Sequence, residues 1–123
     1  MEEKPLKFLH VNQEDKEWEK TYGEKAAYSE KKLLTAADTP IASVVRRIVT
    51  TSGDLQADGY VAHSHPGAEI LYVIRGKLDG WIDGIGEVEI KEGDLLFLDA
   101  GIEHAGNICS EEFEAISIRI PAD

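Results

Sequence analysis

The sequence predicts an all-β domain, a sandwich or closed barrel of about eight short strands. Three observations carry this. From Ile41 to Ile120, short runs rich in Val, Ile and Leu are divided at regular intervals by Gly, Pro and Asp. No long helical repeat separates those runs, which argues against a parallel α/β fold. The chain has 123 residues and is 42 % apolar, enough for a single core and one domain.

Residues 1–40 differ from the rest and are read as an N-terminal arm that packs on the barrel or on a dimer partner. Their first part is dense in Lys and Glu, with Trp18, Tyr22 and Tyr28 scattered among them. Asn12 is expected to cap a short helix from Gln13 to Thr21, with Asp15 favourable in its first turn. Gly23 is placed to stop it. Residues 41–123 are read as the barrel domain. Its strands are expected at Ile41–Thr51, Gly59–His65, Glu69–Arg75, Lys77–Ile82, Gly86–Ile90, Leu95–Leu98, His104–Ile108 and Phe113–Ile120. Between them stand Ser52-Gly53-Asp54, Pro66-Gly67, Gly76, Asp83-Gly84, Glu92-Gly93-Asp94 and Ala100-Gly101, all residues that favour turns.

The formal net charge is −11, from 13 basic and 24 acidic side chains. Such a surface repels nucleic acid and anionic membranes, so neither is expected as a partner. Cys109 is the one cysteine, and no internal disulfide can form. The opening MEEKPLKFLH lacks the apolar core of a signal peptide, and no stretch has the length of a membrane span. A cytoplasmic location is the expectation.

Three of the four histidines fall among the predicted strands. His63 and His65 are two apart, and residues two apart in a strand share a face. Pro66-Gly67 turns the chain, and Glu69 opens the returning strand. His104 follows the turn at Ala100-Gly101. Three imidazoles and a carboxylate in one interior are costly to bury unless paired or bound to a metal. A mixed nitrogen and oxygen set suits one divalent transition ion: Fe, Mn, Ni, Zn or Cu. Four protein ligands leave a position for substrate, water or dioxygen.

These residues resemble the cupin superfamily. HSHPGAEILYVIRG is similar to its first motif, with His63, His65 and Glu69 as ligands and Gly76 closing it. GDLLFLDAGIEH is similar to its second, from Gly93 through Gly101 to His104. The likeness departs from the family pattern at Gly59, which lies close to the first histidine. It departs again at Asp99, where a proline is usual, and at Asn107, an asparagine one residue early. The resemblance implies a double-stranded β-helix, or jelly-roll, barrel and commonly a homodimer. It does not imply one reaction, because a shared fold hosts many chemistries.

Further readings concern the pocket. Strand parity puts Leu71, Val73 and Arg75 on the side of Glu69, and Ile70, Tyr72 and Ile74 on the other. The outer face is thus apolar and is expected to be covered by the arm or a second subunit. Ala115, Ser117 and Arg119 share a small, polar face of the last strand, where Arg119 either meets a substrate carboxylate or is solvated. One of Arg46 and Arg47 faces inward and needs an anion. Trp81 and Tyr72 either stack on a substrate ring or pack in the core. Asp99 and Glu103 flank the second motif, and each is either a base or an ordinary exposed turn residue. The leading expectation is a metal-dependent, dioxygenase-like enzyme acting on a small organic molecule, with Glu69 able to leave the ion and take a substrate proton. A metal-dependent isomerase or lyase and a non-catalytic ligand sensor are the alternatives.

Overall fold

The computed structural model describes residues 8–20, 29–51, 62–108 and 112–122. Its strands are β1 (Glu19–Lys20), β2 (Ser29–Thr35), β3 (Val44–Thr51), β4 (Glu69–Arg75), β5 (Lys77–Ile82), β6 (Gly86–Lys91), β7 (Leu95–Leu98), β8 (His104–Ile108) and β9 (Glu112–Arg119). They form a six-stranded sheet in the order β1-β2-β3-β9-β4-β7 and a three-stranded sheet in the order β6-β5-β8. Every pairing is antiparallel. The expected all-β jelly-roll class is therefore seen, as two facing sheets rather than one closed ladder.

The pleat decides what fills the space between the sheets. Leu71 and Val73 of β4, Leu96 of β7, and Phe113 and Ala115 of β9 point inward from the larger sheet. Leu78 of β5, with Val88 and Ile90 of β6, meets them from the smaller one. Val73 and Ala115 are fully buried. The β-branched and aromatic content of these runs suits such a half-buried surface.

Several boundaries moved. The expected helix from Gln13 to Thr21 is a single 3-10 turn, Gln13–Asp15, and the chain is extended again at Lys16. Asn12 does cap it, accepting the Glu14 N–H at 3.1 Å. The helix stops because tertiary partners take Gln13. Lys31 Nζ donates to both its carbonyl and its side-chain oxygen, and Arg47 donates to the latter. Trp18 lies beneath the Lys31 and Arg47 cations at 4.8 and 5.1 Å, which draws the chain along the sheet into β1. Gly23 lies outside the described residues. So does the first part of Gly59–His65, residues 59–61; the described part, 62–65, forms no strand beyond the isolated bridge of His63 with His104. The long first run begins at Val44 rather than Ile41.

Two strands precede the expected series. β1 and β2 fall within residues 1–40, and both are hydrogen-bonded into the larger sheet. A register shift between Val73 and Arg75 also turns Arg75 away from the side of Glu69. It is exposed instead, against Glu112 and Glu114, as a bulge re-aims the residue that follows it.

Candidate metal centre

Backbone pairing brings the two predicted motifs together. His63 and His104 exchange both N–H···O bonds at 2.9 Å, and the Gly101 N–H donates to the His65 carbonyl at 2.9 Å. Gly101 adopts a positive φ of 78°, a conformation that costs glycine little. Gly67 is needed for another reason: a Cβ there would collide with the Ile120 carbonyl oxygen. The turn it closes holds His65 close to Glu69.

Register builds the floor of the site. Val44, Arg119, Glu69 and Leu98 form one cross-strand row; Arg46, Ser117, Leu71 and Leu96 form the next. Directly opposed residues face the same side of a sheet. His65, Glu69 and His104 each offer one atom able to ligate a metal, and these atoms all lie within 4.8 Å of one another. His63 stands beside this group, exposed, its ring 4.5 Å from that of His104 and 6.3 Å from that of His65.

The hydrogen bonds set the tautomers. Nδ1 of His65 donates to the Gly67 carbonyl at 2.8 Å, and Nδ1 of His104 to the Ile102 carbonyl at 3.0 Å. In a neutral ring this leaves each Nε2 with a lone pair for a cation. Burial pushes the His104 ring below its usual pKa, helped by His63 and His65, against the opposing pull of Ile102 and Glu69. A neutral ring is the form that ligates.

Glu69 is held as an anion. Burial works against its charge, but the Ser117 hydroxyl, Arg119, Arg46 and His65 outweigh it and hold the carboxyl below the usual range. Its two oxygens are divided. Oε2 accepts the Ser117 hydroxyl at 2.7 Å and lies 3.6 Å from Arg46 Nη2. Oε1 faces His65 Nε2 at 3.2 Å. With Nδ1 of His65 already donating, that contact needs either a proton on Nε2 or a cation shared by the two atoms. The residues therefore fit a divalent transition ion.

Some expectations are now decided. Arg46 is the inward arginine, and its anion is Glu30 at 3.0 Å, with Ser117 as a second partner. Arg47 points to the other face and pairs with Glu114 at 2.8 Å. Arg119 does face the site, its Nε 4.0 Å from Glu69 Oε2. By strand parity Tyr72 and Trp81 lie on faces turned away from it, so stacking on a substrate there is not available to them. Asp99 and Glu103 are exposed, and Asp99 bonds its neighbour's backbone. Cys109 lies outside the described residues, and His10 is exposed. Glu30 was not foreseen, because it sits in a Lys- and Glu-dense stretch that reads as solvated.

The fold is shared with solved structures. A predicted oxalate decarboxylase from Thermotoga maritima is 22 % identical, with TM-score 0.74, over 91 % of this chain and 98 % of that one. An RmlC-like cupin from Shewanella frigidimarina is 20 % identical, with TM-score 0.71, over 94 % and 93 %. The Fe(II) form of HppE is 16 % identical, with TM-score 0.71, over 95 % of this chain and 63 % of that one. At such identities the likeness is one of fold. No curated protein sequence matches the chain. No helix among the described residues is long and apolar enough to cross a membrane. The sequence model of the cupin domain matches residues 54–119, which spans both histidine-bearing motifs and the strands between them, and the chain belongs to the cupin family.

Proposed function

We propose that this protein is a metal-dependent enzyme of dioxygenase type, acting on a small organic molecule at an ion held by His63, His65, Glu69 and His104. The observation that carries the reading is the confrontation of His65 Nε2 with Glu69 Oε1 at 3.2 Å, beside the His104 ring. Bound there, ferrous iron would supply redox chemistry toward dioxygen and open positions for substrate. The chain's own residues do the rest. Ser117 and Arg46 hold Oε2 of Glu69, leaving Oε1 to face the ion or to take a substrate proton. Leu71, Leu96 and Leu98 wall the inner face and exclude water. The exposed apolar part of the outer face of the larger sheet, at Tyr72, Leu95 and Phe97, is proposed to pair with a second copy. A single cysteine accords with a reducing, cytoplasmic setting.

Two measurements test the function. Elemental analysis of gently purified protein should find a stoichiometric transition metal, and His63→Ala/His104→Ala should lose it while keeping its circular dichroism. Unchanged metal in that variant would sink the centre. Oxygen uptake by the iron-loaded protein with phenolic and diketone substrates should then separate the chemistries. Turnover that persists anaerobically with Zn(II) or Mn(II) would replace the oxygenase by an isomerase or lyase.

A further inference from the structure

The inner face of the larger sheet carries two arginines, and they differ in how their guanidinium groups are used. Arg46 is engaged by Glu30 and Ser117. Arg119 makes no hydrogen bond through its guanidinium among the described residues, and its Nε is buried without an acceptor. Its one ion pair there is Glu69 at 4.0 Å, too long for a hydrogen bond. The Glu69 oxygen has its hydrogen bond elsewhere: Oε2 accepts the Ser117 hydroxyl at 2.7 Å. The side chain is about a third exposed, at 34 %, so it is open to a ligand.

The backbone of Arg119 is fixed. Its carbonyl accepts both the Ser43 N–H at 2.8 Å and the Ser43 hydroxyl at 3.1 Å. Its register partners are Val44 on one side and Glu69 on the other. A planar fork of donors thus stands in the same cross-strand row as the glutamate of the metal centre. Charge points the same way. Glu30 and Glu69 offset Arg46 and Arg119, and imidazoles ligate as neutral rings. A bound divalent cation therefore leaves the site positive, in surroundings where an unbalanced charge is costly.

We propose that Arg119 binds the carboxylate of a small organic acid whose second donor group meets the metal, so that the substrate class is a small, metal-chelating carboxylate. The proposal rests on the metal-centre reading above. A guanidinium suits a carboxylate because two parallel N–H···O bonds fit its geometry.

The test uses Co(II)-loaded full-length protein, with lactate and its uncharged amide, lactamide, as probes. Binding is followed through the Co(II) absorption bands. Co(II) itself favours the anion, so the reading is the excess: wild type should prefer lactate over lactamide about ten-fold more strongly than Arg119→Gln does, the scale of one charge-assisted pair. Arg119→Gln should keep its Co(II) and lose that excess. Arg119→Met, of similar length and uncharged, should do the same and covers the case in which the first variant fails to fold. A loaded variant that still prefers lactate as wild type does overturns the proposal. So does a variant that loses affinity for lactate and lactamide equally, since Arg119 would then act through Glu69. Wild type that takes up no Co(II) overturns the metal centre itself, a result separate from either.

Discussion

Glu69 has different neighbours on its two oxygens, and Ser117 is the residue that keeps them different. Ser117 is fully buried, receives Arg46 Nη2 at 3.1 Å and donates to Glu69 at 2.7 Å. Replacing it by alanine removes both bonds and leaves the buried carboxylate and guanidinium short of a partner. Ser117→Ala should cost about 1–3 kcal/mol of stability in a denaturant melt. It should also weaken metal binding by about ten-fold or more, as the loss of groups that orient ligands does. Unchanged affinity with full stability would show that Oε2 needs no anchor. The metal-free protein should also be acid-sensitive, with a sign set by two groups. The folded His104 ring lies below its usual value of 6.5, so on acidification the unfolded chain takes up that proton first. Stability therefore falls as pH drops below that value. Glu69 lies below its usual 4.5 when folded. Its stabilisation is present above that value and is lost as pH falls through the folded pKa. Both act in one direction, since stability rises with pH wherever the unfolded state binds more protons. Melting temperature should decline as pH drops below about 6.5 and further below about 4.5, and His104→Gln should flatten the upper part of that decline. A temperature that holds or rises on acidification contradicts the assignment.

At the scale of elements, β2 shows what composition hides. SEKKLLT reads as a solvated charge run, yet Glu30 and Lys31 are 4 % and 7 % exposed. Each is buried by a partner distant in sequence: Glu30 by Arg46, Lys31 by Gln13 and Trp18. No local pattern reports such a partner, which is why the strand goes unseen until β3 lies beside it. β4, β5 and β7 were legible to the residue because Gly or a turn pair ends each run, and hydrophobic runs between turns dictate strands. The grouping of His65, Glu69 and His104 was legible too, since the period of two, the Pro66-Gly67 turn and the turn at Gly101 are local features. The charges behind Glu69 were partly so: alternation put Ser117 and Arg119 on one face, whereas the choice between Arg46 and Arg47 waited on register. The Arg46–Glu30 pair crosses β2 and β3 with both side chains nearly buried. Arg46→Met should destabilise by about 3–5 kcal/mol, because it strands a buried carboxylate. Adding Glu30→Gln should recover much of that loss. A double-mutant cycle by chemical denaturation measures the coupling, and additive effects would show that the two do not act as a pair.

For the whole molecule, the two faces of the larger sheet have opposite fates. The inner face holds the core and the candidate centre. The outer face is partly covered near β2 and β3, where Trp18 lies against Lys31 and Arg47. Toward the edge strand β7 it presents Tyr72 paired with Leu95, and Ile70 paired with Phe97. Tyr72, Leu95 and Phe97 are 45 %, 63 % and 56 % exposed. An apolar patch of this kind on an edge invites a partner, and a second copy offers the same patch by symmetry. A stable interface buries about 800 Å² on each partner, so more of the sheet than these three side chains must take part. Charge opposes the pairing. Each chain carries −11, but that repulsion is largely screened beyond about 8 Å at physiological salt, whereas apolar burial is not weakened by salt. The dimer should therefore tighten as ionic strength rises from low values, the reverse of an interface built on ion pairs. Analytical ultracentrifugation across a salt series measures this. Phe97→Glu should shift the mass toward the monomer and leave metal content intact, because its side chain lies on the far side of the sheet from Glu69 and His65. A wild-type chain that stays monomeric at every salt and protein concentration would leave this face without a self-partner. A dimer that loosens with added salt would move the interface away from it.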